Sequence, residues 1–307
     1  MSSCGTSIFI QSNIDLYKYF CEKQYFIEFP DLSFESVDSD SLVDEYYVEY
    51  CNSSEIILQY SFHHGLLSYP FEKTEQGTLI IYFAYPLLEC RRRKDNALTC
   101  HAAGISLAGK GVVLLGKEGA GKTTLAINLC QTRDAKLVGN DLCVLGYKCR
   151  ENPQLLGGTK YVHLRYESIK RNLPDKLHCF PDCDYSNDTW LRKIKVMPSD
   201  MGIVTQIDAV NISKFYFVHV DQTQPFFFTS AHTVSNILHL NENFSRYIRN
   251  TCAAIISSGA VVGYIPSFDD ERDCENRVAL INSIFKQNTE YLSGSIEDIT
   301  NYIVEHV

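Results

Sequence analysis

Residues 116–124 read Gly-Lys-Glu-Gly-Ala-Gly-Lys-Thr-Thr, which satisfies the pattern G-x-x-x-x-G-K-[ST]. The apolar run 111–115 precedes this stretch, as expected of a buried strand, and the helix-forming run 125–129 follows it. A strand, a glycine loop and a helix in this order form a phosphate-binding loop, in which main-chain amides and the positive end of the helix dipole face an anion. A chance glycine turn would not predict both flanking elements, so the sequence predicts a phosphate site here.

The residues of this loop have separate expected roles. Its glycines allow the backbone to wrap closely around a phosphate. Lys122 is expected to reach the β- and γ-phosphates, and the Thr123 hydroxyl is expected to bind Mg²⁺. Because the loop contacts phosphates and not the base, ATP and GTP both fit the pattern. The residues expected to bind the nucleotide are Gly116, Glu118, Gly119, Ala120, Gly121, Lys122, Thr123 and Thr124.

Length and composition indicate an ordinary globular protein. The chain has 307 residues, of which 45% are hydrophobic and 21% are charged, and its net charge is −9. This balance argues against nucleic-acid binding, which requires a basic face, and no apolar run approaches the length of a membrane span. One basic run, Arg-Arg-Arg-Lys at 91–94, precedes Asp95. We expect a solvated loop or a contact for an anionic ligand there.

The 12 cysteines predict free thiols in a reducing cytoplasm. Most lie singly in apolar surroundings, as at Cys130, Cys143 and Cys252, and the N-terminus has no secretory signal pattern. Buried thiols therefore fit better than a disulfide framework. The segment 178–183 reads His-Cys-Phe-Pro-Asp-Cys, but no second Cys/His pair follows at the interval that a zinc site requires.

The distribution of motifs predicts an α/β protein with two parts. Residues 1–95 are expected to form a small, mostly β N-terminal region without a catalytic signature, and residues 96–307 the P-loop domain. Runs rich in aromatic and β-branched residues predict strands in the first part at 7–10, 46–50, 56–60 and 78–83.

Further elements are expected after the loop. A strand over 136–145 contains Asp141, and an acidic residue on the strand beside the loop is typical of a Mg²⁺ site. The polar segment 172–200 predicts a long loop over the site, which would act as a lid. Strands are also expected at 161–165, 214–220, 225–228 and 260–265. A helix or helix pair is expected over 234–255, and single helices over 277–285 and after the capping residue Ser295.

Residues 101–141 resemble the catalytic core of HPr kinase/phosphorylase and its relatives, which include small-molecule serine kinases and peptide-modifying kinases of ribosomal natural-product clusters. The resemblance depends on His101 before the loop, on the loop itself, and on Asn140-Asp141 after it. It implies a mixed-sheet fold like that of phosphoenolpyruvate carboxykinase. It also implies Mg²⁺-dependent transfer of the γ-phosphoryl group of ATP to a hydroxyl, on a small metabolite, an amino acid or a peptide serine.

The resemblance further implies roles for individual side chains. Asp141 is implied as the general base on the acceptor hydroxyl, as a Mg²⁺ contact, or as both. His101 is implied to orient Asp141, and Arg165 to contact phosphate together with Lys122. The implied metal contacts are Thr123, Asn140 and Asp141. Because relatives are often oligomers, the resemblance also suggests a homo-oligomer.

Three positions depart from the family pattern. Asn140 replaces an acidic residue and cannot take a proton, Glu118 stands where serine is common, and His163 stands where glutamate is usual. These differences favour a kinase with another acceptor over phosphorylase activity and HPr binding. They also leave open a second function, a nucleotide-binding regulatory or scaffold protein with little catalysis. A hydrolase or motor-type ATPase ranks below both because no arginine finger or repeat assembly is evident.

The basic residues Arg192, Lys193 and Lys195 lie near the end of the polar segment 172–200. They could contact the γ-phosphate or form part of a solvated basic face. The second role is the more common one for such residues.

Overall fold

The chain forms two compact units. The first comprises Met1–Thr99 with Asn241–Val278, and the second comprises Cys100–Leu240 with Ala279–Val307. The division expected at residue 95 differs from this one, because it assigned residues 241–278 to the P-loop part. The computed structural model describes residues 1–22, 29–37, 46–71, 78–149, 151–181, 193–249, 254–257, 260–287 and 289–307.

The described residues form twenty strands, seven helices and two 3₁₀ turns. The strands are β1 (Ser2–Ser3), β2 (Thr6–Ser7), β3 (Phe9–Ser12), β4 (Leu32–Ser33), β5 (Tyr47–Asn52), β6 (Ile57–Tyr60), β7 (His64–Tyr69), β8 (Ala97–Cys100), β9 (Ala103–Leu107), β10 (Lys110–Leu115), β11 (Lys136–Gly139), β12 (Cys143–Gly146), β13 (Gln154–Gly158), β14 (Val162–Arg165), β15 (Lys193–Val196), β16 (Val210–Val220), β17 (Phe227–Ser230), β18 (Ala254–Ser257), β19 (Ala260–Tyr264) and β20 (Glu290–Gly294). The helices are α1 (Leu16–Glu22), α2 (Thr78–Lys94), α3 (Lys122–Thr132), α4 (Tyr166–Asn172), α5 (Val234–Ser245), α6 (Glu271–Lys286) and α7 (Ile296–His306), with 3₁₀ turns at Pro174–Cys179 and Pro198–Met201.

The first unit contains a sheet in the order β3-β5-β7-β6, together with α2. The prediction of a strand over residues 78–83 is wrong, because these residues form the beginning of α2. Ile80, Ile81 and Phe83 are all fully buried, so this helix is covered on several sides and lacks a polar stripe. A short apolar run with β-branched residues cannot be told from a strand by its pattern alone.

The basic run at 91–94 forms the last turn of α2 and not a solvated loop. Arg92 is fully buried, and its guanidinium donates to the Glu89 carboxylate at 2.8 Å and to the Thr99 hydroxyl at 2.6 Å. The Nε of Arg93, also buried, lies 3.4 Å from Glu89. Arg92 and Arg93 therefore neutralise a buried carboxylate and are not available to an anionic ligand.

The second unit has a mixed sheet in which β11, β9, β10, β16, β13 and β12 are neighbours in that order, with β20 and then β17 continuing from β16. β10 is parallel to β16 and antiparallel to β9. Helices α3 and α7 share a core with the sheet through Leu125, Leu129, Ile299 and Ile303. The fold class is α/β with a mixed sheet.

Strand direction brings three predicted site features to one edge of this sheet. β10 and β11 both run antiparallel to β9, so they end at the same edge, where β9 begins. The phosphate loop follows β10, Asp141 follows β11, and His101 precedes β9.

A close backbone contact supports the end of β11. A Cβ atom on Gly139 would lie 2.5 Å from the Cα of Gly158, and one on Gly158 would lie 2.7 Å from the Cα of Gly139. At this contact the Asn140 N–H donates to the Thr159 carbonyl at 2.9 Å. Glycine at both positions therefore allows the backbone approach that holds Asn140 in place.

The strand predicted over 136–145 is interrupted at the site. β11 ends at Gly139 and β12 begins at Cys143, and between them Asp141 has φ of +63°. Asp and Asn occupy this left-handed region more readily than most other residues. The break turns the chain, so that Asp141 lies outside the ladder.

Two further predictions need correction. The segment 172–200 is not a continuous loop, since it contains both 3₁₀ turns and β15; residues 182–192, including Arg192 and Cys183, lie outside the described part. Of the helix or helix pair predicted over 234–255, the described residues form α5, which ends at Ser245, and Ile255 lies in β18. The apolar spacing continues because Tyr247 and Ile248 pack into the first unit's core from a turn.

Other predictions are confirmed. The strand at 111–115 is β10 and the helix after the loop is α3. Ser295 caps α7, and its hydroxyl accepts the Asp298 N–H at 3.1 Å. The strands predicted at 161–165, 214–220, 225–228 and 260–265 correspond to β14, β16, β17 and β19, and the helix over 277–285 lies within α6.

The described cysteines are free thiols. Cys143 is buried as predicted and Cys130 is partly buried, whereas Cys252 lies outside the described residues. The burial prediction is wrong for Cys21, Cys149 and Cys274, which are exposed. Within the described part of the chain, every helix is too short or too polar to cross a membrane.

Candidate functional site

The loop at 116–124 is an open turn of main chain between β10 and α3. Gly116, Gly119 and Gly121 have φ of +143°, +79° and +88°, values that L side chains rarely adopt. A Cβ atom on Gly121 would lie 2.6 Å from the Val220 side chain, whereas one on Gly119 would meet nothing within 4 Å. The loop therefore packs against β16 on one side and is open at Gly119.

Lys122 lies across this loop. Its ammonium donates to the carbonyls of Gly116 at 2.8 Å and Lys117 at 3.1 Å, and the residue is 8% exposed. Burial lowers the pKa of Lys122, although the carboxylates of Asp141 and Glu118 act in the opposite direction. Among the described residues, its hydrogen-bond acceptors are neutral carbonyls, and a desolvated ammonium in this position is well placed to bind an anion.

Thr123 and Asn140 are in direct contact. The Thr123 hydroxyl donates to the side-chain oxygen of Asn140 at 2.8 Å, and Asn140 is fully buried. Among the described residues, no partner accepts a hydrogen bond from its Nδ2. Rotation of the amide would let Nδ2 donate to Thr123 and leave Oδ1 for a cation. The buried, half-satisfied amide therefore fits a Mg²⁺ contact, together with the Thr123 hydroxyl.

Two histidines flank Asp141. Its carboxylate oxygens lie 3.5 Å from His163 Nδ1 and 4.0 Å from His101 Nε2. Burial raises the pKa of the Asp141 carboxyl, but the hydrogen bond to His163 and the charges of His101, His163 and Lys122 outweigh it and lower the pKa. The carboxylate is therefore ionised at neutral pH and can accept a proton or bind a cation.

Glu118 and Arg165 form an ion pair at the opening of the loop. An Arg165 guanidinium nitrogen lies 2.5 Å from the Glu118 carboxylate, and Lys193 Nζ lies 3.9 Å from the same oxygen. Glu118 is mostly exposed and Arg165 mostly covered. Glu118 of the phosphate loop is therefore already paired with Arg165, the residue that the family resemblance implied as a phosphate contact.

The remaining predicted contacts are placed differently. The Thr124 hydroxyl lies 3.1 Å from the Ser168 hydroxyl of α4, so it supports the helix and does not face the loop opening. Ala120 contributes main chain, and its carbonyl accepts the Val220 N–H at 2.9 Å. In the segment 178–183, His178 contacts its own turn through the Asp175 carbonyl at 2.7 Å. The described residues contain no cluster of three or more His, Cys, Asp or Glu that could hold a metal.

The part that His163 plays beside Asp141 was not predicted from the sequence. His163 stood there only as a departure from a family pattern, although the alternation at 162–165 places His163 and Arg165 on one face of a strand. A basic pair at positions i and i+2 on a strand whose intervening residue is apolar was the available signal.

Comparisons with known proteins add little. No protein-family model matches the chain, and no curated protein is similar to it. Among solved structures, it is similar to the HPr(Ser) kinase/phosphatase from Coxiella burnetii, with 12% identity over 67% of this chain and 91% of that chain and a TM-score of 0.29. At this TM-score the similarity is distant, so the function must be inferred from the chain's own residues.

Proposed function

We propose that this protein is a Mg²⁺-dependent kinase that transfers the γ-phosphoryl group of ATP to a hydroxyl acceptor, on an HPr kinase-like P-loop fold. The observation that carries the proposal is the position of Asp141. Its carboxylate, flanked by His101 and His163, follows the strand two places from β10, at the edge where the phosphate loop begins. Phosphoryl transfer requires positioning and charge neutralisation more than covalent chemistry.

Each site residue has a role in this proposal. Lys122 moves from the carbonyls of its own loop to phosphate oxygens, and the loop amides hold the same phosphates. Thr123 and Asn140 would provide neutral oxygens for Mg²⁺, and the ion, when bound, would neutralise charge on the phosphates. Asp141 accepts the proton of the acceptor hydroxyl, while His163 and His101 hold its carboxylate in position.

One observation favours a second candidate, a nucleotide-binding regulatory protein with little catalysis. Asn140 supplies a neutral oxygen to the metal where a second carboxylate would supply a charge. Mg²⁺ prefers carboxylate ligands in proteins, so metal binding and turnover are both weaker in such a site. Nucleotide binding is common to the two candidates, and only turnover separates them.

The test is ATP consumption by the wild-type chain and by Asp141→Asn, without acceptor and with a panel of hydroxyl compounds and serine peptides. The proposal predicts acceptor-dependent turnover in the wild type. It predicts retained nucleotide binding but a loss of turnover of at least 100-fold in Asp141→Asn, since general-base catalysis contributes about 10² to 10⁴. Asparagine also adopts positive φ readily, so the variant preserves the backbone.

Two results would contradict the proposal. If Asp141→Asn turned over ATP as fast as the wild type, Asp141 would not be the general base. Nucleotide binding without consumption for every acceptor would favour the regulatory protein. A nucleotide-induced rise in Tm in both proteins is the control for binding.

A further inference from the structure

A cleft lies at the end of the second unit's sheet that is opposite the phosphate loop. β10 and β11 begin at this end and β9 finishes there, whereas the loop and Asp141 follow the far ends of β10 and β11. The cleft encloses about 430 Å³, which is within the range of about 300–1,000 Å³ for small-molecule sites. It is therefore large enough for a ligand and separate from the candidate kinase site.

The register of three strands shapes the bottom of this cleft. Ser106 of β9 is paired with Gly111 of β10 on one side and with Lys136 of β11 on the other. A Cβ atom on Gly111 would lie 2.9 Å from the Asn211 carbonyl oxygen, so glycine permits the close approach of β10 to the start of β16. The cleft is thus defined by backbone geometry, which fixes the side chains that line it.

Ser106 lies at the bottom of the cleft with an unpaired hydroxyl. The residue is only 5% exposed, yet it lines the cleft. Among the described residues, none forms a hydrogen bond with its side chain. A buried hydroxyl without a partner costs free energy, so the partner of Ser106 has to come from whatever fills the cleft.

Two opposite charges line the same cleft without pairing. Asp134 lies just before β11, and Lys136 is the first residue of that strand. Both side chains line the cleft. Within the described part of the chain, neither forms an ion pair or a side-chain hydrogen bond. The cleft therefore offers one ammonium and one carboxylate to a ligand.

The carboxamides of the lining are engaged elsewhere. The Gln154 amide donates to the Asn211 side-chain oxygen at 2.8 Å, and the Gln206 amide donates to the Asp208 carbonyl at 3.2 Å. The apolar part of the described lining consists of glycine, alanine and valine only. A large apolar group would find no surface to pack against, so charge and hydrogen bonding select the ligand.

We propose that the cleft binds a small zwitterion, namely an amino acid with a short or polar side chain. Its carboxylate binds Lys136 and the Ser106 hydroxyl, and its ammonium binds Asp134. A simple anion or a simple cation would leave one of the two protein charges without a partner. This inference stands apart from the proposed kinase function, because the cleft contains no residue of the phosphate loop.

Isothermal titration of the full chain with glycine, L-serine and L-glutamine tests the site, with acetate and methylammonium as probes of one charge each. We expect saturable binding of at least one amino acid, and none of the single-charge probes at the same concentrations. Lys136→Gln and Asp134→Asn should each weaken binding about tenfold. Asp134 has φ of +52°, which asparagine also adopts readily.

Four further variants serve as controls. Ser106→Ala should weaken amino-acid binding about fivefold without lowering the Tm of the free protein, since its hydroxyl has no partner among the described residues. Lys286→Gln and Glu305→Gln change exposed residues of the same unit outside the cleft, and both should bind as the wild type does. Lys122→Met should also retain the affinity, because Lys122 lies at the phosphate loop.

Each contrary result would overturn the proposal. Absence of saturable amino-acid binding would remove the site, as would equal affinities in wild type, Lys136→Gln and Asp134→Asn. An equal loss in Lys286→Gln or Glu305→Gln would show that the effect reflects net charge. A loss in Lys122→Met would place the amino acid at the phosphate loop. Acetate binding as tight as that of the amino acids would contradict a zwitterion site.

Discussion

The hydroxyl of Thr123 donates a hydrogen bond of 2.8 Å to the side-chain oxygen of Asn140. This contact joins the first turn of α3 to the residue that follows β11. In the sheet, β9 lies between β11 and β10, the strand that leads into α3. The contact places a hydroxyl and a side-chain amide side by side at a buried position, and Asp141 is the next residue in the chain. The candidate metal contacts are therefore in contact with each other before any ligand binds.

Replacement of Asn140 by aspartate should make stability depend on Mg²⁺. A carboxylate at this fully buried position lacks a counter-ion unless the metal provides one. We expect Asn140→Asp to lower Tm by roughly 5 °C or more in EDTA, and Mg²⁺ to restore most of the loss. Asn140→Ala is the control, with a loss that Mg²⁺ does not change. Equal Tm values for Asn140→Asp with and without Mg²⁺ would exclude a metal contact here.

The lowered pKa of Asp141 predicts a pH-dependent contribution to stability. Between the folded pKa and the unfolded value of about 3.9, the unfolded state binds more protons, so stability rises with pH. The contribution of Asp141 is thus present above about pH 4 and is lost as pH falls through the folded pKa. Urea unfolding should show a gap between wild type and Asp141→Asn at pH 6 that closes at low pH. A gap of constant size would contradict the ion-pair geometry.

The ion pair between Glu118 and Arg165 should oppose nucleotide binding. Glu118→Gln removes a negative charge from the phosphate loop and releases Arg165. An exposed pair contributes roughly 1 kcal/mol or less, so we expect the Kd for Mg·ATP to fall about threefold to fivefold. The gain should shrink at high salt. Glu305→Gln, at an exposed position of α7, is the control. A weaker affinity in Glu118→Gln would show that Glu118 positions Arg165 instead.

Two neighbouring arginines of α2 should differ sharply in their effect on stability. Arg92→Ala leaves the buried Glu89 without its main partner, which should lower the free energy of unfolding by about 3–5 kcal/mol. Arg91 is partly exposed and lies 3.8 Å from Asp95, so Arg91→Ala should cost about 1 kcal/mol or less. Urea denaturation measures both. Similar losses would mean that the Arg92 network contributes no more than a surface pair.

The sequence predicted the phosphate loop and its flanking elements because local residues determine them. The glycine spacing, the apolar run of β10 and the helix-forming run of α3 lie within a short stretch. The position of Asp141 near the loop could also be predicted, because Asp141 follows a strand that the hydrophobic pattern indicates. The interruption of that strand could not be predicted, because it depends on the backbone contact between Gly139 and Gly158, which are distant in sequence.

Burial explains the larger errors. The run at 78–83 has no polar stripe, so strand and buried helix give the same pattern. The basic run at 91–94 looks solvated until the carboxylate of Glu89 is found beside it. The role of His163 requires the register of β14 with β15 and its distance to Asp141, and neither follows from residue order. Where a side chain's partner is distant in sequence, composition alone does not reveal it.

The central claim is that the loop at 116–124 binds a polyphosphate. The affinity of wild type and of Lys122→Met for Mg·ATP tests this claim most directly. Methionine keeps most of the apolar stem of the buried side chain and removes the ammonium, with its charge and its hydrogen bonds to the Gly116 and Lys117 carbonyls. Isothermal titration should give saturable binding to the wild type and a loss of at least tenfold for Lys122→Met, with the Tm of the free proteins unchanged or higher in the variant. Equal affinities, or no binding to the wild type, would contradict the account.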